Sequence, residues 1–243
     1  KLANGVDVLW NGGNIMSRGG NLFVGQSLNS FYTFQAEKIA QQSDMNRING
    51  MTFYNGYIVK PGDILPRDLD GDGKITPEND MAIVGKSDPK FYGGLTTNFV
   101  YKNLSLNAVF TYSYGAKKFN GQYDMLMDGT GSFGPASIDQ LNRWTPENTD
   151  TDVPRAYRGN KFNRFGYGST NWAMLDASFI RLSALNLTYN FPSKNINPVL
   201  GNLSVYASGN NLLLITPYKG YDPEAGEGYP LTKSFTIGVN LSF

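Results

Sequence analysis

Strict alternation carried to the chain's last residue constrains the fold more than any other feature. In "SFTIGVNLSF", Phe235, Ile237, Val239, Leu241 and Phe243 fall on one side of an extended strand. Ser234, Thr236, Gly238, Asn240 and Ser242 fall on the other. The same period recurs upstream. Leu203, Val205 and Ala207 oppose Ser204 and Ser208, and Leu185, Leu187, Tyr189 and Phe191 oppose Asn186, Thr188 and Asn190. In "LSLNAVFTYSY", Leu104, Leu106, Ala108, Phe110, Tyr112 and Tyr114 oppose Ser105, Asn107, Thr111 and Ser113. Leu95, Thr97, Phe99 and Tyr101 keep the same rhythm just before. Period two over this length predicts half-apolar β-strands, and so an all-β chain.

One stretch breaks step. Ile180, Leu182 and Ala184 lie on the opposite face from Leu185 and Leu187. A bulge near Ser183, or an upper strand projecting beyond a bilayer, accounts for the switch. Residues 30–42, "SFYTFQAEKIAQQ", read as a strand running into a short helix.

The connections alternate in length. "YKNL" at 101–104 predicts a tight hairpin with Asn103 as the turn residue. Residues 115–177 form a long Gly-, Asn- and Asp-rich stretch, 192–202 a short one, and 213–232 a longer one. Long loops beside tight turns are the layout of outer-membrane β-barrels, whose tilted strands need about 9–11 residues to cross the apolar layer. Tyr101, Tyr112, Tyr114, Tyr189, Phe191 and Phe243 stand at strand ends, where such barrels carry aromatic girdles. A soluble β-sandwich alternates in the same way, so a secreted, calcium-braced carbohydrate-binding sandwich stays open as the alternative.

Composition removes whole classes of chemistry. The 243 residues include no Cys and no His, so a Ser-His-Asp triad, a Cys-His pair and an H-E-x-x-H zinc site cannot be built from this chain. Net charge is +1, from 21 Lys+Arg against 20 Asp+Glu, and nothing points to nucleic acid. No apolar run reaches the length of a transmembrane helix. The chain opens on "KLANGVDVLW", neither an initiator methionine nor a signal peptide, as a fragment or a processed product would.

One metal motif stands out, "DLDGDGKITPEND" from Asp68. Asp68, Asp70 and Asp72 occupy relative positions 1, 3 and 5 of an EF-hand-type loop. Gly73 stands where the chain must turn sharply, Lys74 supplies a backbone carbonyl, and Ile75 is a small apolar anchor. Position 12 holds Asn79, not an acid, so the loop must bulge by one residue for Asp80 to complete the shell. The expected ion is a structural Ca²⁺ that braces a long loop. Paired glycosidase carboxylates cannot be picked out among ordinary surface acids. In "AYRGNKFNRFGYGSTNW", Tyr157, Phe165, Tyr167 and Trp172 interleave with Arg158, Lys161 and Arg164. These aromatics are candidate contacts to a substrate or to a lid.

The segments "DLDGDGKITPENDMAIVGKSDPKFYGGL", "LNRWTPENTDTDVPRA", "SFIRLSALNLTYNFP" and "VYASGNNLLLITPYKGYDPE", followed by the terminal strand, occur in that order. Together they resemble the carboxyl-terminal part of SusC/RagA-type TonB-dependent transporters of Bacteroidetes. The resemblance covers nearly the whole chain and is densest from about residue 61 to 243. In that family the acidic loop usually closes one residue earlier. Asp80 nevertheless keeps the familiar five-residue step to Gly85, which favours it over Asn79 as the closing residue.

The resemblance implies an antiparallel transmembrane β-barrel of 22 strands, with residues 1–243 forming part of its carboxyl-terminal half. Plug, amino-terminal strands and TonB-contacting segment would lie in another part of a longer polypeptide. It further implies a SusD-like surface lipoprotein as lid, TonB as energy coupler, an oligosaccharide or peptide substrate, surrounding outer-membrane lipid, and no catalytic residues. With the carboxyl terminus on the periplasmic side, the turns at 102–103 and 192–202 are periplasmic. The loops at about 50–90, 115–177 and 213–232 are then extracellular.

Overall fold

The computed structural model describes residues 8–11, 21–127, 136–156, 169–192, 201–226 and 228–242. Phe243, Tyr157, Phe165 and Tyr167 lie outside them. The chain divides into two units, residues 1–88 with 117–175, and residues 89–116 with 176–243.

The first unit is assembled from short pieces. In chain order these are β1 (Val8–Asn11), β2 (Asn21–Phe23), β3 (Ser30–Phe34), β4 (Ala36–Ile39), α1 (Met45–Ile48), β5 (Thr52–Phe53), β6 (Ile64–Pro66), β7 (Lys74–Ile75), α2 (Pro77–Asp80) and β8 (Met81–Lys86). Strands pair in twos, β1 with β2, β3 with β8, β4 with β6, and β5 with β7, the last pair parallel. The chain then passes through β9 (Phe91–Tyr101) and β10 (Leu104–Tyr114) of the second unit. It returns to the first with β11 (Lys117–Phe119), α3 (Gly121–Met127) and β12 (Met174–Asp176).

Strands of two to six residues cannot bury much alone, so this unit closes around side chains from many of them. Phe34, Leu65, Ile75 and Met81 are fully buried in one cluster, with Phe23, Tyr32, Ile48 and Phe53 around them. Tyr123, Met127, Val153 and Ala173 form a second. The expected helix within residues 30–42 is corrected. "AEKI" is β4, because pairing with β6 buries Ile39, and the helical turns begin only at Gln42. Tertiary pairing outweighs local propensity there.

The second unit is one antiparallel sheet in the order β15-β14-β13-β10-β9, adding β13 (Phe179–Asn190), β14 (Asn202–Ile215) and β15 (Ser234–Ser242). Sequential strands are spatial neighbours throughout, an up-and-down meander. The apolar faces align across every ladder. Phe99 pairs with Leu106, Leu106 with Leu187, Leu187 with Ala207, and Ala207 with Ile237. The opposite face reads Asn98, Asn107, Asn186, Ser208 and Thr236 along the same row.

The broken step is resolved by a bulge. Val109 pairs with Ala184 and Phe110 with Leu182, leaving Ser183 as the extra residue. Its hydroxyl meets that of Thr111 at 2.7 Å on the polar face, so Ile180 and Leu182 rejoin the apolar face above it. On the other side, Leu182 pairs with Leu213 and Ala184 with Asn210, so β14 bulges at Asn211–Leu212. One boundary differs from expectation, since β14 runs on to Ile215. The hairpin at 102–103 is the expected one, with Asn103 in the turn and Lys102 before it in the left-handed conformation at φ 53°. Asn103 also ties the turn to the next strand through its side-chain amide, which donates to Asn190 O at 2.6 Å.

The connections alternate as expected. The two-residue turn 102–103 and segment 191–201 leave one end of the sheet, while 115–178 and 216–233 leave the other. The sheet is open, with β15 and β9 as its edges among the described residues. A closed 22-stranded barrel is therefore not what these residues build by themselves. None of the described helices is long and apolar enough to cross a membrane.

Candidate functional site

The acidic loop folds around its own carboxylates. Asp68 accepts from Gly71 N at 2.7 Å and Gly73 N at 2.9 Å, and Asp72 accepts from Lys74 N at 2.7 Å. Gly73 has φ 77°, the left-handed conformation that glycine adopts without strain. Lys74 and Ile75 then form β7 against Thr52 and Phe53, with Ile75 buried as the expected anchor.

One-residue lengthening is absorbed by α2, a single helical turn that carries Asp80 inward to full burial. Asp80 accepts from Leu69 N at 2.8 Å and Thr76 N at 2.7 Å. Asn79 turns outward and donates its amide to Asp70 at 2.7 Å. Burial, then the carboxylates of Asp70 and Asp68, push the Asp80 carboxyl above its ordinary value, against the pull of the two backbone N–H groups.

Oxygen atoms of Asp68, Asp70 and Asp80 all lie within 4.8 Å of one another. Ca–O distances of about 2.3–2.6 Å allow two ligands of one ion to stand about 5 Å apart, so this spacing fits calcium. The donor set fits too, being all hard oxygen. Asp72 is outside this trio, its carboxylate facing the Lys74 N–H.

Two further polar clusters hold distant segments. In the first unit, Arg155 forms a bidentate pair with buried Asp63 at 2.8 and 3.0 Å. Beside it the Trp144 ring covers Gly62, where a Cβ would stand 2.5 Å from Trp144 Cε3, and Trp144 Nε1 donates to Gln41 Oε1 at 3.0 Å. Gly62 has φ 87°, so only glycine satisfies both demands.

In the second unit, Arg181 is the one charged residue in all five strands, and it is 3% exposed. Its Nη2 donates to both carboxylate oxygens of Asp222 at 2.9 Å, and its Nε to Glu224 Oε2 at 2.7 Å. Burial alone would raise Asp222. The Glu224 N–H, the Arg181 guanidinium and the Ala225 N–H outweigh it and hold the carboxyl below its usual range. This network fastens the 216–233 connection to the polar face of β13. A lone charge inside an alternating strand was the signal that could have found it.

Trp172 packs on the second cluster of the first unit and gives its indole N–H to Asp152 O at 3.1 Å. On the terminal strand, Phe235, Ile237, Val239 and Leu241 share one exposed face.

No protein-family model matches the chain. It is 33% identical over 238 residues to TonB-dependent receptor P3 of Formosa agariphila, covering 90% of this chain and 22% of that protein. It is 27% identical over 245 residues to TonB-dependent receptor SusC of Bacteroides thetaiotaomicron, covering 95% of this chain and 21% of that one. Among solved structures, the RagAB peptide importer in its closed-closed state matches with TM-score 0.70 and 29% identity, over 93% of this chain and 24% of that one. The chain thus spans only about a fifth to a quarter of the proteins it matches. By sequence and by fold, it is related to the SusC/RagA-type TonB-dependent transporters and corresponds to a portion of one.

Proposed function

We propose that the chain forms part of the wall of an outer-membrane barrel that imports glycans or peptides. Import is coupled to TonB through parts outside this sequence, and a SusD-like surface lipoprotein covers the mouth. The observation that carries this reading is the five-strand sheet. Its apolar face is continuous and open to the surroundings, with Ile237 at 81% exposure, while its other face is rich in hydroxyl and amide groups. A water-facing surface seldom carries so wide an apolar patch, and a sandwich would bury it under a second sheet. Lipid outside and an aqueous lumen inside match both faces at once.

In this reading the carboxyl terminus is periplasmic and the 115–178 and 216–233 connections are extracellular. The work is gated passage, without catalytic residues. Loop aromatics Tyr157, Phe165, Tyr167 and Trp172 are the proposed contacts to substrate or lid. Asp68, Asp70 and Asp80, with the Lys74 carbonyl and Asp72 completing the set, would hold a Ca²⁺ that cross-braces the loop.

Denaturing mass measurement on the native, detergent-extracted protein tests the reading, with co-purifying chains identified. A much longer polypeptide containing this sequence, together with a lipoprotein, is the expected result. A free species of 26.8 kDa that stays dispersed without detergent would sink it.

A further inference from the structure

The apolar face is not uniformly flat. At the end from which the long connections leave, Phe91, Tyr112, Tyr114, Ile180, Ile215 and Pro217 surround a groove of about 550 Å³. That is within the range of about 300–1,000 Å³ typical of ligand sites. Tyr112 is 38% exposed in this groove, whereas Ile237 on the flat part of the same face is 81% exposed. Gly93 lies opposite Tyr112, and the missing side chain leaves room for that side chain to lean over it, its hydroxyl 2.8 Å from where a Cβ would stand.

Beyond the hydroxyls of Tyr112, Ser113 and Tyr114 the groove offers little to a polar ligand. Ser178 and Thr216 line it, but their hydroxyls are spent on the protein. Ser178 Oγ donates to Asp176 and accepts from Gly115 N at 2.9 Å, and Thr216 Oγ1 donates to Ser178 O at 2.7 Å. No charged side chain is among its lining residues.

We infer that this groove seats an acyl chain of an outer-leaflet lipid, held one per barrel rather than exchanging freely with the annulus. The inference rests on the membrane reading above, because the groove continues the face that reading turns toward hydrocarbon. It lies at the long-loop end, which that reading makes extracellular, so lipid A is the expected source. Aromatic rings at this height give the chain a rigid wall at small entropic cost.

The test is native mass spectrometry of the full-length transporter, titrated with purified lipid A. Ile215→Trp and Ile180→Trp fill the groove, Ile237→Trp is the control on the flat part of the face, and heat-modifiable gel mobility establishes that each variant is folded. Wild type and Ile237→Trp should each retain one lipid A, and the groove-filled variants should bind roughly tenfold more weakly. Equal retention by all four proteins overturns the groove. Equal retention of a phospholipid, or displacement by the lipoprotein's own anchor, overturns lipid A as its occupant. Recovery of every protein in the detergent-free soluble fraction overturns the membrane reading itself, a result separable from the others.

Discussion

The two units apply opposite rules to the same kinds of residue. In the first, Phe34, Leu65, Ile75 and Met81 are hidden and the charged loops are wet. In the second, Phe235, Ile237 and Val239 face outward, and the one strand charge, Arg181, is hidden. Burial is therefore a poor guide to which residues stabilise this protein unless the surrounding medium is stated. The first unit is built for water, where removing apolar area is the main driving force. In the reading proposed above, the second meets a medium in which apolar exposure costs nothing and backbone pairing matters most.

The largest expected effect is at the point where the sheet borrows the first unit's rule. Arg181→Ala leaves Asp222 buried without its partner, a loss of about 3–5 kcal/mol. Limited proteolysis should then cut within 216–226 while the strands stay intact; unchanged cleavage would remove the latch. The pair also carries a pH dependence. Asp222 is held below its ordinary value of 3.8, so its contribution is complete above 3.8 and is lost as pH falls through the depressed value. Pepsin should leave this loop whole just above pH 3.8 and open it only in stronger acid.

Next comes Ile237→Lys. In lipid it should cost about 2–4 kcal/mol and impair outer-membrane assembly of the full-length protein. In water the same change would fall within about 0.5 kcal/mol. Assembly at the wild-type level would erase the contrast between the units.

Calcium sharpens the first unit's side. At about a hundredfold over its dissociation constant the ion should add about 2.7 kcal/mol to the wild type. Asp80→Asn should abolish that protection, read as the loss of a calcium-dependent rise in unfolding temperature. The smallest effect belongs to Lys102→Gly. Relieving a left-handed lysine should gain about 1 kcal/mol, seen as a modest rise in the same temperature.

What the sequence disclosed follows from the same contrast. The sheet was legible because one apolar and one polar face force period two over 9 to 14 residues, and even the parity break at Ser183 pointed to its bulge. The first unit was not, since strands such as Thr52–Phe53 and Lys74–Ile75 are too short to show a period. Its stitching runs between residues far apart in the chain, Asp63 to Arg155 and Gln41 to Trp144. No local pattern encodes such pairs. The acidic loop lay between these cases, with its spacing visible and the approach of Asp80, rather than Asn79, to Asp68 and Asp70 visible only in the buried helical turn.

The extra residue at Ser183 acts on β13 as an inserted letter acts on a reading frame. Counted by residue number, the strand alternates in one phase below it and in the other above, yet both stretches keep the same face apolar, because the bulge absorbs the extra letter. Deleting Ser183 would remove the bulge and leave Ile180, Leu182, Leu185 and Leu187 in unbroken alternation, with Arg181 still opposite Thr111 on the polar face. The faces of the strand would survive that deletion, whereas deleting a residue away from the bulge would turn everything on one side of it inside out.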